Sequence, residues 1–235
     1  LIVDAISWRI LVEDLGCLYN RGSLGEKGSS YRQWEAAIKE YVRTHEFERR
    51  YWDEIFVDYD AEYQKVLSGL TGDDSEEVVI SFGEERTGIL LRQSNGAYHT
   101  QINDILLTAL GCALSELIGQ RVNYVTLEGH GREEIDNAID VTRTVGWFTT
   151  LYPVRLEIKD DIGSSIKQVK ENLRQIPSRG IGYGALIGYE EGRLPKISFN
   201  YLGQFDREGT VRDLGAEPLF WRITNEGSGA STDVK

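Results

Sequence analysis

The stretch Glu128–Pro153, EGHGREEIDNAIDVTRTVGWFTTLYP, decides how the chain is read. It follows VNYVTL, an apolar-rich run of strand composition, so the Glu128 carboxylate is expected where a strand gives way to a loop, a common place for chemistry. Gly129 and Gly131 let the backbone approach a ligand or take positive φ. His130 adds a titratable ring, and Arg132 has the forked donors that hold a carboxylate in one orientation. The aromatic run at the end reads as a buried strand. A polar turn with a surface ion pair is the competing reading, because one Glu-Gly-His-Gly is not diagnostic.

Composition bounds the class. The 235 residues are 40% hydrophobic and 27% charged, enough for one large or two small globular domains. A net charge of −12 disfavours nucleic acid and anionic lipid as partners, since both are polyanions. No apolar run approaches bilayer length and no secretory signal opens the chain. Cys17 and Cys112 each lie in apolar helix-like segments, which predicts reduced core thiols in a cytoplasmic protein. The chain lacks methionine altogether and opens on LIVDAISW, so an internal piece of something longer is expected.

Outward from the central stretch, periodicity predicts a helix over 4–19, capped by Asp4 or Ser7, that packs Ile6, Ile10, Leu11, Leu15 and Leu18. Leu1–Val3 would be a buried strand end or turn. Arg21–Ser30 is a loop, and Tyr31–Val57 forms two amphipathic helices broken near Thr44 and His45, with Phe47 on the second apolar face and His45 solvated. SGLTGDDSEE, 68–77, marks a lobe boundary, and Val78, Ile80 and Phe82 alternate as a strand. NDILLTALGCALSELI, 103–118, is the clearest helix, capped by Asn103 or Asp104, with Leu106, Leu107, Leu110, Leu114 and Leu117 as its apolar face. His99 and Gln101, just ahead of it, read as a solvated turn or as cleft residues.

Val154, Leu156 and Ile158 alternate with polar residues as a strand with one wet face, and a helix runs from Ile162 until Pro177 ends it. SRGIGYGAL has the glycines of a phosphate loop without its Lys-Ser/Thr, so a tight loop packed on a tunnel or sheet edge is expected. KISFNYLG is a strand whose Asn200 and Tyr201 point to opposite sides unless it is twisted or bulged. From Gly209 on, partial order is expected around Trp221.

Three histidines, no Cys pair at ligand spacing and no HExxH make a zinc site improbable. No GxSxG elbow, P-loop or Rossmann fingerprint is present. A placed carboxylate, an arginine and Tyr and Asn donors remain, a set suited to proton or acyl transfer on a delivered substrate.

LIVDAISWRILVEDL, YHTQINDILLTALG, EGHGREE, TRTVGWFTTLYPV, IPSRGIGYG and ISFNYLGQFD, in this order, resemble the serial motifs of the epimerization domain of nonribosomal peptide synthetases, a branch of the condensation-domain superfamily. The resemblance implies an α/β fold (an α+β sandwich) of the chloramphenicol-acetyltransferase-like, two-lobe kind, here partial. Residues 1–72 would close a mostly helical N-terminal lobe, and 73–235 would be a truncated C-terminal lobe, a sheet with packed helices. It further implies an isomerase that epimerizes the α-carbon (L to D) of an aminoacyl or peptidyl thioester. The substrate would arrive on the 4′-phosphopantetheine arm of a peptidyl carrier protein, in the cytoplasm, with neighbouring synthetase domains as partners. No cofactor of its own, metal, nucleic acid or membrane is implied. Glu128 matches the catalytic glutamate, Arg132 its accompanying arginine, and Asn200 and Tyr201 the active-site pair of FNYLG, Tyr201 being the enolate donor. Asp4 matches the aspartate of HHxxxDG, expected to orient the motif, with Ala5 in the glycine position. Both histidines of that motif would lie before Leu1, so this piece by itself is expected to be inactive. A condensation domain forming a peptide bond and a non-catalytic carrier-docking module are the alternatives.

Overall fold

The computed structural model describes residues 2–59, 77–93, 99–190, 193–201 and 203. Its centre is strand β1, Val122–Gly129, flanked by β2, Thr150–Glu157, and β3, Ser198–Phe199, in the order β2-β1-β3. β1 and β2 run antiparallel, from Val122 opposite Glu157 to Gly129 opposite Thr150. β3 lies parallel to β1, with Thr126 opposite Ser198.

Asn123–Leu127 are buried without a break. Successive strand side chains face opposite ways, so β1 is covered on both faces, its polar Asn123 and Thr126 included, rather than wet on one side. Pro153, which cannot donate to a ladder, is tolerated because it faces Thr126. The Thr126 amide turns to the other neighbour, donating to Ile197 O at 2.8 Å, so that pair exchanges no hydrogen bonds and no donor is missed.

Helices α1, Ala5–Tyr19, α2, Tyr31–Thr44, and α3, Arg49–Tyr59, precede the sheet. Short α4, Glu84–Gly88, leads into a π turn, and α5 spans Ile102–Ile118. After β2 come α6, Ile162–Gln175, a 3-10 turn Pro177–Gly180 and the helical turn α7, Tyr183–Leu186. Trp52, Ile55 and Tyr59 of α3, Leu107 and Leu114 of α5 and Val169 of α6 share one buried cluster with Tyr124, Val125, Tyr152, Val154 and Leu156 of the sheet. Helix α5 seats closely on β2 and the residue after it, since a Cβ at Gly111 would come 3.3 Å from Leu156 Cβ and 2.8 Å from Ile158 Cδ1. A second cluster joins Trp34 and Tyr41 of α2 to Val141, Phe148 and Ile181.

The helices fall where periodicity puts them, but several faces do not. On α1 only Ile10 is buried among the apolar residues; Leu11, Leu15 and Leu18 are exposed. Periodicity says which side chains share a face, not that a neighbour covers it. Ile2 is 86% exposed rather than part of a buried strand end. Val78–Phe82 is not a strand: all its apolar side chains are exposed and no described strand pairs with it. Phe47 and Leu117 are exposed. His45 is half-buried rather than fully solvated, its ring stacked on Tyr41 at 3.9 Å. Gln101 caps α5 instead of Asn103 or Asp104, and the Asp104 carboxylate at N3 accepts from the Gln101 amide at 2.7 Å, a capping box. The aromatic run enters its strand only at Thr150, leaving Trp147 38% exposed. KISFNYLG pairs only at Ser198–Phe199. Asp4 caps α1, accepting from the Ser7 amide at 2.7 Å. Cys17 and Cys112 are free thiols. Among the described residues no helix is long and apolar enough to cross a membrane. The boundary at residue 72 and the tail from Gly209 lie outside the described residues.

Candidate active site

A cavity of about 710 Å³ opens at the C-terminal end of β1. Glu128 and Gly129 reach it from the strand, and His130 and Glu133 from the loop that follows. Asp4 and Arg9 come from α1, while His99, Gln101 and Asn103 come from the approach to α5. Tyr152, Arg174 and Arg179 close it from β2, α6 and the 3-10 turn, and Asn200 and Tyr201 from beyond β3.

Glu128 is the penultimate residue of β1, opposite Leu151. Its side chain is accessible from the cavity yet partly desolvated. Burial pushes its carboxyl above the usual carboxylate range, and a hydrogen bond with the Asn200 side chain acts the other way. Asn200 and Tyr201 both line the cavity because β3 ends at Phe199, and past that point strand alternation no longer sends neighbours to opposite sides.

Four residues beyond Glu128 the chemistry is different. Arg132 is 5% exposed in its side chain. Its Nη2 donates to Asp4 Oδ1 at 3.0 Å, to Asp4 Oδ2 at 3.1 Å and to Ser7 Oγ at 3.0 Å. Its Nη1 donates to the carbonyls of Val141 at 2.8 Å and Thr144 at 2.7 Å, and the guanidinium lies 4.0 Å over the Phe148 ring. Asp4 Oδ2 also accepts from the Phe148 amide at 3.1 Å. Burial alone would raise the Asp4 carboxyl; hydrogen bonds from Ser7, Phe148 and Arg132 outweigh it and the net shift is downward. The Arg132–Asp4 pair is therefore a buried one and not the surface ion pair that competed for this loop.

The two glycines behave differently. At Gly131, φ is +66° and a Cβ would lie 1.6 Å from Phe148 O, so no side chain fits. At Gly129 a Cβ would meet Thr150 Oγ1 at 2.9 Å. His130 Nε2 pairs with Glu133 Oε1 at 3.1 Å, and its Nδ1 accepts from the Arg132 amide at 3.0 Å. Arg179 Nη1 reaches Glu133 Oε2 at 3.2 Å.

His99 and Gln101 line the cavity and are both exposed, His99 in a turn at φ 49°, so the two readings of this segment hold together. Reasoning from sequence missed Tyr152, Glu133, Arg174 and Arg179. The GIG run was the available signal for Arg179: a Cβ at Gly180 would lie 2.1 Å from the Tyr152 ring, so that glycine marks a close approach to β2. SRGIGYGAL is thus a tight turn packed on the sheet. Among the described residues no group of three or more His, Cys, Asp or Glu is placed to hold a metal ion.

A model of the family described as "Condensation domain" matches residues 1–223, and the chain belongs to that family. The N-(5-amino-5-carboxypentanoyl)-L-cysteinyl-D-valine synthase of Amycolatopsis lactamdurans is 43% identical over 233 residues, 99% of this chain and 6% of that protein. Bacitracin synthase 1 of Bacillus licheniformis is 41% identical over 237 residues, 93% of this chain and 4% of that one. Among solved structures, the epimerization domain from the third module of tyrocidine synthetase B is 36% identical, with a TM-score of 0.68 over 89% of this chain and 51% of that chain. The first condensation domain of the calcium-dependent antibiotic synthetase shares the fold at 18% identity, with a TM-score of 0.58 over 74% of this chain and 42% of that chain. The chain therefore has the mixed helix-and-sheet, chloramphenicol-acetyltransferase-like fold expected of it, and it spans about half the solved epimerization domain and a small fraction of its curated relatives.

Proposed function

We propose that this cavity inverts the α-carbon of an aminoacyl or peptidyl thioester carried on the 4′-phosphopantetheine arm of a peptidyl carrier protein. The observation that carries the reading is the convergence of Glu128, Asn200 and Tyr201 on one cavity, with the glutamate's pKa raised. The likeness to a solved epimerization domain and the D-valine in the name of a relative support the same direction.

Inversion needs a base on one face of the α-carbon and an acid on the other. Glu128 takes or returns the α-proton on one face. When it takes the proton, the C–H electron pair moves into the enolate and onto the thioester oxygen. The opposite face belongs to a histidine that the resemblance places ahead of Leu1. A raised pKa brings the carboxyl closer to neutrality, where it serves in both directions. Tyr201 donates to the thioester oxygen as charge develops there, an interaction of a kind worth about 3 kcal/mol per donor in acyl chemistry. Asp4 and Arg132 orient the wall from behind.

Peptide-bond formation is the second reading, favoured by the description of the matching family. The test uses a protein carrying the whole domain, two loaded carriers and deuterated water. The epimerization reading expects deuterium at the α-carbon and D-configured product. Dipeptide without α-deuterium would establish condensation instead.

A further inference from the structure

Behind the cavity wall lies a buried cluster with no part in that chemistry. Glu48, in the 3-10 turn between α2 and α3, is 3% exposed. Its Oε1 accepts from the Tyr41 phenol at 2.5 Å, and its Oε2 is buried with no partner. Tyr41 Oη also lies 2.6 Å from Ser178 Oγ. A phenol has one hydrogen, so the arrangement that satisfies most groups has Ser178 donating to Tyr41 and Tyr41 donating to Glu48. Burial, and then the bond to Glu48, push the Tyr41 phenol above its ordinary value, which keeps it a donor.

The segment this cluster grips is strained. Ser178 (φ 42°, ψ 38°) and Arg179 (φ 52°, ψ 35°) are both left-handed, and Gly180 follows at φ +79°. Glycine adopts that region freely, whereas serine and arginine hold it only where their surroundings over-determine it, and such strain gathers at functional sites. Two anchors do so here. Gly180 lies flat against the Tyr152 ring, and the Ser178 hydroxyl is held by Tyr41. Gly182 makes room for the pair, since a Cβ there would lie 2.9 Å from Tyr41 Cε1 and 3.1 Å from Glu48 Oε2. Between the anchors Arg179 is set on Glu133, which also takes His130.

We propose that Tyr41 and Glu48 are positioning residues for the cavity: they hold Ser178 in the left-handed turn that sets Arg179 on Glu133, and so fix the loop that follows Glu128. The catalytic consequence rests on the epimerization reading; the structural one does not.

Solvent deuterium exchange at the α-carbon of a carrier-bound aminoacyl thioester, measured in a protein with the whole domain, tests the first. Tyr41→Phe and Glu48→Ala are expected to lower kcat/KM about tenfold, while Glu48→Gln, which keeps an acceptor for the phenol, stays within about twofold. In an Arg179→Ala background Tyr41→Phe should add less than about twofold, because both changes act through one contact. A Tyr41→Phe enzyme as active as the parent, or a full further loss in the Arg179→Ala background, overturns the proposal. The structural consequence is read without activity. The Ile181 amide donates to Ser178 O at 3.2 Å and reports on the turn. Tyr41→Phe should speed its hydrogen exchange at least about tenfold while α5 amides keep their rates; unchanged protection at Ile181 overturns the proposal. If the parent protein itself exchanges no α-hydrogen, the epimerization reading fails, and Ile181 still decides the positioning claim.

Discussion

Glu128, at the end of β1, and Arg132, in the loop that follows, stand four residues apart and live under opposite rules. Arg132 is dry, its terminal nitrogens donating to both Asp4 oxygens, Ser7 Oγ and two carbonyls, and its charge answered by a carboxylate 3.0 Å away. Glu128 is open to a cavity, bonds to the Asn200 side chain, and has its pKa raised by partial burial. A wall that must not move is built from opposed charges tied by several hydrogen bonds, with Nε of Arg132 left without a partner among the described residues. A group that must exchange a proton is left partly desolvated and lightly bonded. Substitutions on the two sides should therefore separate stability from activity.

The largest loss of stability is expected from Asp4→Asn. It leaves the Arg132 guanidinium buried without a counter-charge, which costs about 3–5 kcal/mol in denaturant unfolding. Its pH dependence has a definite sign. The folded pKa of Asp4 is lowered, so its contribution is complete above the unfolded carboxylate value of about 3.9 and is lost as pH falls through the folded value. The gap between the parent and Asp4→Asn should accordingly close on acidification below about pH 4. Arg132→Lys comes next. One ammonium cannot reach Asp4, Ser7 and the Val141 and Thr144 carbonyls together, and it loses the face of Phe148, for about 2 kcal/mol. Glu128→Gln is smallest, within about 0.5 kcal/mol of the parent. Its sign is reversed: with the folded pKa raised, ionising Glu128 costs the folded state above the unfolded pKa, so the glutamine variant should melt slightly higher at neutral pH and lose that margin in acid. A Glu128→Gln loss as large as that of Asp4→Asn would erase the contrast.

The sequence made the two sides of this loop legible to different degrees. β1 was readable from VNYVTL as a short run of strand composition, and β2 from the alternation of Val154, Leu156 and Ile158 with polar residues. The apolar stripe of α1 and the run Val78–Phe82 misled, because burial depends on what lies opposite, and a single segment's pattern is silent about that. Asn200 and Tyr201 were separated by a strand rule that stopped applying one residue earlier, at Phe199. Arg179 and Glu133 went unmarked because neither sits in a periodic pattern; backbone strain at Ser178 and Arg179 puts one on the other, and φ is not written in residue type except where glycine appears.

The central claim is that Glu128 moves the α-proton. Deuterium wash-in at the α-carbon of a carrier-loaded aminoacyl thioester, comparing the whole domain with its Glu128→Gln variant at equal fold stability, tests it most directly. The account predicts that exchange falls by at least about a hundredfold in the variant, the scale of a lost general acid/base; undiminished exchange would remove Glu128 from the mechanism.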